Sequence, residues 1–589
     1  MCSSDLLGVS VSGDILQLDL FTDTMRPEEL AEILSRYDMK KKYHRLKNGD
    51  FIDLDQDSFR DLARLNEDMA FSTNDLRTGR IRLPKYRAAL LDADLKDSSV
   101  SYTREQSYRD LLHAFETMQT DPVPVPERWS GILREYQKKG YQWLCTLADN
   151  GFGALLADEM GLGKTVQVIA WIAEHRQNGQ TLIICPASLV YNWASEFQRF
   201  APELSVCMIN GSAAVRQALL LDTRADVLIT SYDLIKRDID LYADRHFAAE
   251  IIDEAQYIKN AGTHAAHSVK AINADFRIAL TGTPIENRLS ELWSIFDYLM
   301  PGFLYSYRRF RNLYENPIVK DKDTAAQKKL QTMISPFILR RLKKEVLDDL
   351  PDKNEEVYYA ALADEQKELY TARMLSLKTL LGKQSDEEFK QSKIAVLAEL
   401  TRLRQLCCSP SLIYEGYRGN SAKEDLCMEV IQNAVDSGHK VLLFSQFTTM
   451  LDRLCERLRD RKISYHLLVG STPQSERAQM VEAFAEDNVP VFCISLKAGG
   501  TGLNLTAADI VIHYDPWWNT AVENQASDRA HRIGQKNTVT VYRLIVKDTV
   551  EERILALQKD KSDMAEQILS TDEIRTSSLT REQLLAVLQ

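Results

Sequence analysis

Asp158-Glu159-Met160-Gly161-Leu162-Gly163-Lys164-Thr165 follows the apolar run Ala154-Leu155-Leu156-Ala157. It precedes Val166-Gln167-Val168-Ile169-Ala170-Trp171-Ile172-Ala173, which carries a helical pattern. An apolar strand, a glycine-bearing turn and an amphipathic helix, in that order, form the context that a phosphate-binding loop requires. Backbone N–H groups in such a turn point inward and the helix N-terminus adds partial positive charge, so a polyphosphate is held. In that arrangement Lys164 reaches the β- and γ-phosphates and the Thr165 hydroxyl ligates Mg²⁺. The general pattern has a glycine five residues before the Gly-Lys pair; here Asp158 stands there.

The chain of 589 residues has room for about four domains of ordinary size. With 44% hydrophobic and 27% charged residues it reads as globular rather than disordered. Lys plus Arg number 73 against 85 Asp plus Glu, which argues against a surface coated in basic charge but leaves room for a local basic groove. No apolar run approaches the roughly 18 to 20 residues of a membrane span, and no secretory signal opens the chain. The nine cysteines are scattered, with one adjacent pair, Cys407-Cys408, and no CxxC. They read as small buried hydrophobes in a reducing compartment, and the expected home is the cytoplasm.

Met1-Cys2-Ser3-Ser4-Asp5-Leu6 matches the translation of a common sequencing-adapter end and is set aside, which implies that the chain is a fragment. Val9 to Leu20 alternates around Gly13-Asp14 like a hairpin, and Pro27 to Leu34 reads as a helix opened by acidic residues. Lys40-Lys41-Lys42 is a solvated basic face, since acidic residues resume at Asp50. Residues 1–125 form an accessory α+β module, closed by the semi-rigid linker Asp121-Pro122-Val123-Pro124-Val125-Pro126.

Beyond the linker, short β-branched runs alternate with helical patterns, the sign of parallel sheets built from βαβ units. Strands are expected at Thr181–Cys185, Asp226–Thr230, Glu250–Asp253 and Arg277–Leu280. They resume at Lys440–Phe444, Tyr465–Leu468, Val489–Ile494, Asp509–His513 and Val539–Ile545. Two clusters imply two α/β domains, whose polar strand ends should converge on one cleft.

Ile251-Ile252-Asp253-Glu254-Ala255-Gln256 is an apolar strand ending in two carboxylates. Beside a phosphate loop, Asp253 would hold Mg²⁺ and Glu254 would orient or deprotonate the attacking water. An acidic strand end is common, and the pair alone means little; its place after the loop gives it weight. Extra positive charge for the γ-phosphate is offered by Gln525-Ala526-Ser527-Asp528-Arg529-Ala530-His531-Arg532-Ile533-Gly534-Gln535. Arg529 and Arg532, three apart, would share a helix face and act as arginine fingers, an effect of about 10³–10⁵ in rate.

From about Gly131 onward the chain resembles the motor of the SWI/SNF-related DNA translocases of helicase superfamily two. Leu133-Arg134-Glu135-Tyr136-Gln137 is similar to the adenine-recognition motif, with Gln137 as base reader. Asp158 to Thr165 is the family's own form of the phosphate loop. Cys185 to Val190 with Trp193, Thr230-Ser231-Tyr232 and Leu280 to Asn287 match successive motifs of a first lobe. Phe444-Ser445-Gln446-Phe447, Lys497 to Leu505, Asp515-Pro516-Trp517-Trp518-Asn519 and the double-arginine run match a second. The resemblance implies two RecA-like lobes with parallel sheets, at 126–305 and 426–589, joined by helical insertions and linker at 306–425. It implies ATP and Mg as cofactors, with Asp158, Glu159, Met160, Gly161, Leu162, Gly163, Lys164, Thr165 and Gly502 around the nucleotide.

The same resemblance implies double-stranded DNA as partner, bound with little sequence preference by a monomeric motor in a bacterial, nucleoid-associated setting. Ser188, Thr230, Ser231, Gly500 and Thr501 then become backbone-contact candidates, because hydroxyls and backbone N–H groups position a duplex without reading it. Trp517 and Trp518 are expected to pack a core or a lobe interface rather than stack on bases. Phe337 to Val346 reads by itself as an amphipathic helix with a solvated basic face; the resemblance makes it a brace beside the cleft. Three departures from the family pattern stand out: Gln256 where most relatives have histidine, Cys408-Ser409 where an Asn-His pair is frequent, and Thr520 in place of proline. Competing readings are a strand-separating helicase and a nucleotide-gated remodeller of RNA polymerase or another DNA-bound complex.

Overall fold

The computed structural model describes residues 6–556 apart from 14, 22–26, 36–42, 46–50, 54–56, 70, 97, 118–122, 283–288, 348–349, 384–385, 418, 420, 500–502 and 518–519. Two all-parallel sheets carry the chain beyond the linker. The first has seven strands in the order Ile338–Leu339, Ala154–Leu156, Asn273–Leu280, His246–Asp253, Thr181–Cys185, Val227–Ser231, Val206–Met208. The second has six: Lys353–Ala360, Val539–Val546, Ile510–His513, Val441–Ser445, Val491–Ser495, Tyr465–Leu468. Central strands such as Thr181–Cys185 and Val441–Ser445 are buried along their whole length, as strands covered on both faces must be.

Register explains why distant motifs meet. Leu156 lies opposite Leu280, Leu280 opposite Asp253, and Cys185 opposite Ser231, so the motif-bearing turns leave one carboxyl edge of the first sheet together. In the second sheet Ser445 is level with Ser495, and Phe444 with His513.

The segment between the lobes departs from expectation. It contains the long helices Asp364–Lys383 and Asp386–Cys408, yet Ile338–Leu339 joins the first sheet and Lys353–Ala360 the second. The basic run 337–346 is not one helix. Two residues extend along Ala154–Leu156 and only Lys343–Val346 turns, because the Leu339 and Arg341 carbonyls accept from Ala157 and Glu159 N–H instead of bonding within a helix. Nor is its charge all solvated: Arg341 and Lys343 turn inward, while Lys344 stays exposed.

In the accessory module the expected hairpin forms, pairing Leu6–Ser12 with Ile15–Phe21, and the helix spans Pro27–Ser35. Lys40 to Lys42 lie outside the described residues. The module shares one continuous apolar core with the first lobe. At the seam Lys85 Nζ donates to the Asn150 carbonyl (3.0 Å), and the Arg87 guanidinium lies 3.9 Å from the Tyr305 ring centroid. The described cysteines are free and all but Cys207 are buried. No described helix is long and apolar enough to cross a membrane.

Candidate nucleotide site between the lobes

The phosphate loop links Ala154–Leu156 to the helix Lys164–His175. Two of its glycines are required by geometry. Gly161 and Gly163 have φ of +88° and +73°, and a Cβ on Gly163 would lie 2.5 Å from Gln137 Nε2. Lys164 Nζ folds back onto the Asp158 carbonyl at 2.7 Å, and burial lowers its pKa against the opposing charges of Asp158, Glu254 and Asp253. Thr165 follows at the first turn of the helix, half-buried.

The other loop residues hold the loop's shape. The Asp158 carboxylate, fully buried, accepts from Arg341 Nε (2.8 Å), from a second Arg341 nitrogen and from Gln167 Nε2 (3.3 Å). Glu159 accepts from the Lys343 N–H (2.7 Å), and Met160 packs so closely on Gly282 that a Cβ there would meet its Cγ at 2.7 Å. The Leu162 carbonyl accepts from Tyr136 Oη (2.8 Å) and Gln137 Nε2 (3.0 Å). Gln137 Oε1 in turn accepts from the Arg134 N–H (2.9 Å), so this amide ties its own helix start to the loop.

The carboxylates stand where the strand reading put them. Asp253 Oδ2 accepts from Trp193 Nε1 (2.9 Å) and Oδ1 from the Glu254 N–H (2.8 Å). Burial, reinforced by the adjacent Glu254 charge, pushes the Asp253 pKa up to about 6. Glu254 leaves the strand with φ 54° and ψ 57°, a left-handed conformation that a non-glycine residue adopts at a cost of about 1–3 kcal/mol. Its two oxygens have different partners: Oε2 accepts from Gln256 Nε2 (2.7 Å) and Oε1 from Gln525 Nε2 of the second lobe (3.1 Å). Gln256 Oε1 accepts from Thr281 Oγ1 (3.0 Å). The position that departs from the family's histidine therefore completes a chain Thr281–Gln256–Glu254–Gln525 that crosses the cleft.

Arg529 and Arg532 do reach this cleft, though not from a helix face. The helix Thr520–Ser527 ends before them, and the Arg529 carbonyl accepts from the Leu505 N–H (3.0 Å) rather than continuing the helix. Burial and the neighbouring Arg532 lower the Arg529 pKa to about 10, with Glu254, Asp528 and Asp253 pulling it the other way. Arg532 crosses to the phosphate loop: a Cβ on Gly161 would sit 2.9 Å from Arg532 Cβ. Burial lowers its pKa too, against Glu196 of the first lobe and Asp528.

The DNA-contact candidates divide. Ser188 is half-buried in the turn Ala187–Leu189. Thr230 and Ser231 are 1% and 2% exposed; the Thr230 hydroxyl donates to the Ile209 carbonyl (3.4 Å) and the Ser231 hydroxyl accepts from the Leu234 N–H (3.4 Å) at the strand end. Gly500, Thr501 and Gly502 lie outside the described residues, as do Trp518 and Thr283 to Asn287. Trp517 packs against the second lobe's core, 5.5 Å from the Arg404 guanidinium. Cys408 keeps a structural place: its carbonyl accepts from Ser421 Oγ (2.9 Å) and Tyr514 Oη (3.0 Å). Read from the sequence, Arg341, Lys343, Gln525 and Thr281 have no individual roles: Gln525 and Thr281 lie within matched motifs, and Arg341 and Lys343 lie in the run that the resemblance makes a brace beside the cleft, where the structure places them.

A half-buried lysine, two strand-end carboxylates and two arginines from a second parallel-sheet lobe define the class of site found in two-lobed nucleotide-driven motors. The chain belongs to the SNF2-related family: the SNF2-related domain matches residues 136–412, the helicase conserved C-terminal domain 422–534, and the bacterial SNF2 helicase-associated domain 4–126. It is 36% identical to an uncharacterized ATP-dependent helicase of Mycoplasma pneumoniae over 100% of this chain and 56% of that protein. It is 37% identical to the putative ATP-dependent helicase/translocase YwqA of Bacillus subtilis over 91% of this chain and 60% of that one. The SWI2/SNF2 ATPase core of Sulfolobus solfataricus, solved in complex with dsDNA, is 35% identical over 76% of this chain and 97% of that chain, with a TM-score of 0.39. The chain thus spans a little over half the length of these two bacterial relatives.

Proposed function

We propose that the chain hydrolyses ATP in the cleft between its two lobes and uses closing and opening of that cleft to step along duplex DNA. The observation that carries the reading is the Gln525–Glu254 bond, which ties the second lobe to the carboxylate beside Lys164 and Asp253. Lys164 would exchange the Asp158 carbonyl for β- and γ-phosphate oxygens. Gln256 and Gln525, one donor for each Glu254 oxygen, would hold that carboxylate toward the attacking water. Arg529 and Arg532 would stabilise the charge on the transferring phosphoryl group.

Thr165 and Asp253 are hard oxygen donors, and the raised pKa of Asp253 marks a buried carboxylate that a cation would favour in its charged form. They fit Mg²⁺, whose contribution when bound is to neutralise phosphate charge. Gln137 would relay occupancy of the base site to the loop through the Leu162 carbonyl.

Duplex DNA as partner draws support from membership of the SNF2-related family. With a net charge of −12 the chain would bind through a local groove, involving Ser188, with steep salt dependence and little sequence preference. The working division is an accessory module at 1–125, lobes at 126–305 and 426–589, and a connecting segment at 306–425 that lends one strand to each sheet. A monomer at work on the bacterial nucleoid completes the proposal.

The test is ATP turnover with and without duplex DNA, alongside triplex displacement and strand separation. The expected results are DNA-stimulated turnover and release of the third strand with the duplex intact. Near-normal turnover after Lys164→Ala, Glu254→Gln and Arg532→Ala would overturn the assignment.

A further inference from the structure

The segment 338–351 touches both halves of the site. It enters as Ile338–Leu339 on the strand that feeds the phosphate loop, and Arg341 then grips Asp158 and Gln167. Two residues on, Lys343 turns the other way. Its N–H donates to Glu159 Oε2 of the phosphate loop (2.7 Å), while its Nζ donates to Asp528 Oδ1 (2.8 Å) and the His531 carbonyl (2.7 Å) of the second lobe. Lys343 is 5% exposed and the Asp528 side chain 10%, so this ion pair is largely shielded from solvent. His531 Nε2 lies 2.8 Å from the Pro351 carbonyl, and Leu347 packs with Tyr136, Leu162 and Ile533 around the same junction.

The two anchors of Lys343 have a pattern. Asp528 immediately precedes Arg529, and His531 immediately precedes Arg532. One ammonium thus holds a turn at the two points from which the arginines project, and its Cε would lie 3.4 Å from a Cβ on Gly161. The turn keeps backbone bonds to the end of the preceding helix, from Asp528 N–H to the Asn524 carbonyl (2.8 Å) and from His531 N–H to the Ser527 carbonyl (3.2 Å), and Lys343 adds its link to the phosphate loop. Lys343 supplies a fixed distance between the phosphate loop and the turn.

We propose that Lys343 is a positioning residue: a latch between the lobes that sets the reach of Arg529 and Arg532 toward the phosphate loop. This rests on the ATP-driven reading above for its effect on turnover, but the latch itself is a statement about lobe geometry. Lys343 need not touch nucleotide. Its removal loosens the turn and leaves Asp528 without its ion-pair partner, so the arginines miss the geometry in which they act; misplacement by about 1 Å costs on the order of 10² in rate.

The experiment uses the full chain with Cys2→Ser, Cys207→Ser and spin labels on Gln217→Cys and Glu456→Cys, exposed positions, one on each lobe. Interlobe distance, nucleotide Kd and turnover are measured for the parent, Lys343→Met, Lys343→Arg, Lys343→Asp and the exchanged pair Lys343→Asp with Asp528→Lys. Expected for Lys343→Met are a longer, broader interlobe distance, a Kd within about threefold and a kcat lower by roughly 10–100-fold. Lys343→Arg should keep most of the parent distance and turnover, and the exchanged pair should exceed Lys343→Asp alone. An interlobe distance unchanged in Lys343→Met, or Kd and kcat weakened in equal measure, would overturn the latch. Where Lys343→Met does not fold, failure of both the arginine variant and the exchanged pair to hold the parent distance would overturn it. A parent protein without ATP turnover sinks the ATP reading alone, because the distance arm still reports on the latch.

Discussion

The two halves of the cleft differ in how their charges are satisfied. In the first lobe Lys164 bonds the Asp158 carbonyl, and Asp158 bonds Arg341 and Gln167, all on the same sheet body. In the second lobe Arg529 is buried and Arg532 half-buried beside it, and much of the opposing charge, on Glu254, Asp253 and Glu196, belongs to the first. The phosphate loop is therefore complete without its partner, whereas the arginine turn is balanced only when the lobes meet. Binding should be a property of one half and turnover a property of both.

Replacement of Glu254 tests that division with the largest effect. Glu254→Gln is expected to keep nucleotide affinity and lower turnover by about 10²–10⁴, the range for a positioned acid–base group. Parallel titration and steady-state ATP turnover would show it. Equal losses in both would break the contrast, placing Glu254 in binding.

Acid should act through Asp253. Its folded pKa, about 6, is raised above the ordinary 3.8 of an aspartate, so the fold favours the protonated form; that contribution to stability is present below the unfolded value and lost as pH rises through 6. Activity runs the opposite way, because the metal-holding form is ionised. At limiting Mg²⁺, kcat/KM is expected to fall by up to about tenfold per pH unit below 6, and higher Mg²⁺ should move that limb to lower pH. A limb that ignores Mg²⁺ would assign it to another group.

Gly163→Ala sharpens the claim that the first half stands alone. At φ +73°, with Gln137 Nε2 at 2.5 Å, the added methyl should destabilise the protein by about 1–3 kcal/mol and weaken nucleotide binding. Denaturant titration read from each lobe separately should show the loss in the first lobe and leave the second unchanged.

The first half was also the more legible. Eight contiguous residues carry the phosphate loop, and buried parallel strands such as Thr181–Cys185 appear as apolar runs because both of their faces are covered. Lys353–Ala360 escaped notice because Lys353, Asn354, Glu355 and Glu356 read as surface; it is an edge strand with much of its length exposed. Val206–Met208 and Ile338–Leu339 are too short to set up a period. By themselves Arg341 and Lys343 read as solvated charge and only the resemblance made their run a brace, since nothing local says that a basic run will be folded inward against Asp158 and Asp528, 183 and 185 residues away. The i, i+3 spacing of Arg529 and Arg532 suggested a helix that instead runs out in turns after Ser527, where the Arg529 carbonyl pairs with Leu505, yet both residues still reach the cleft.

The most direct measurement is nucleotide affinity and DNA-stimulated turnover for the double variant Arg529→Ala with Arg532→Ala. The composite site predicts a Kd within about threefold of the parent and a kcat lower by about 10³ or more. A kcat near the parent's would contradict it, since turnover would then be complete in the first lobe.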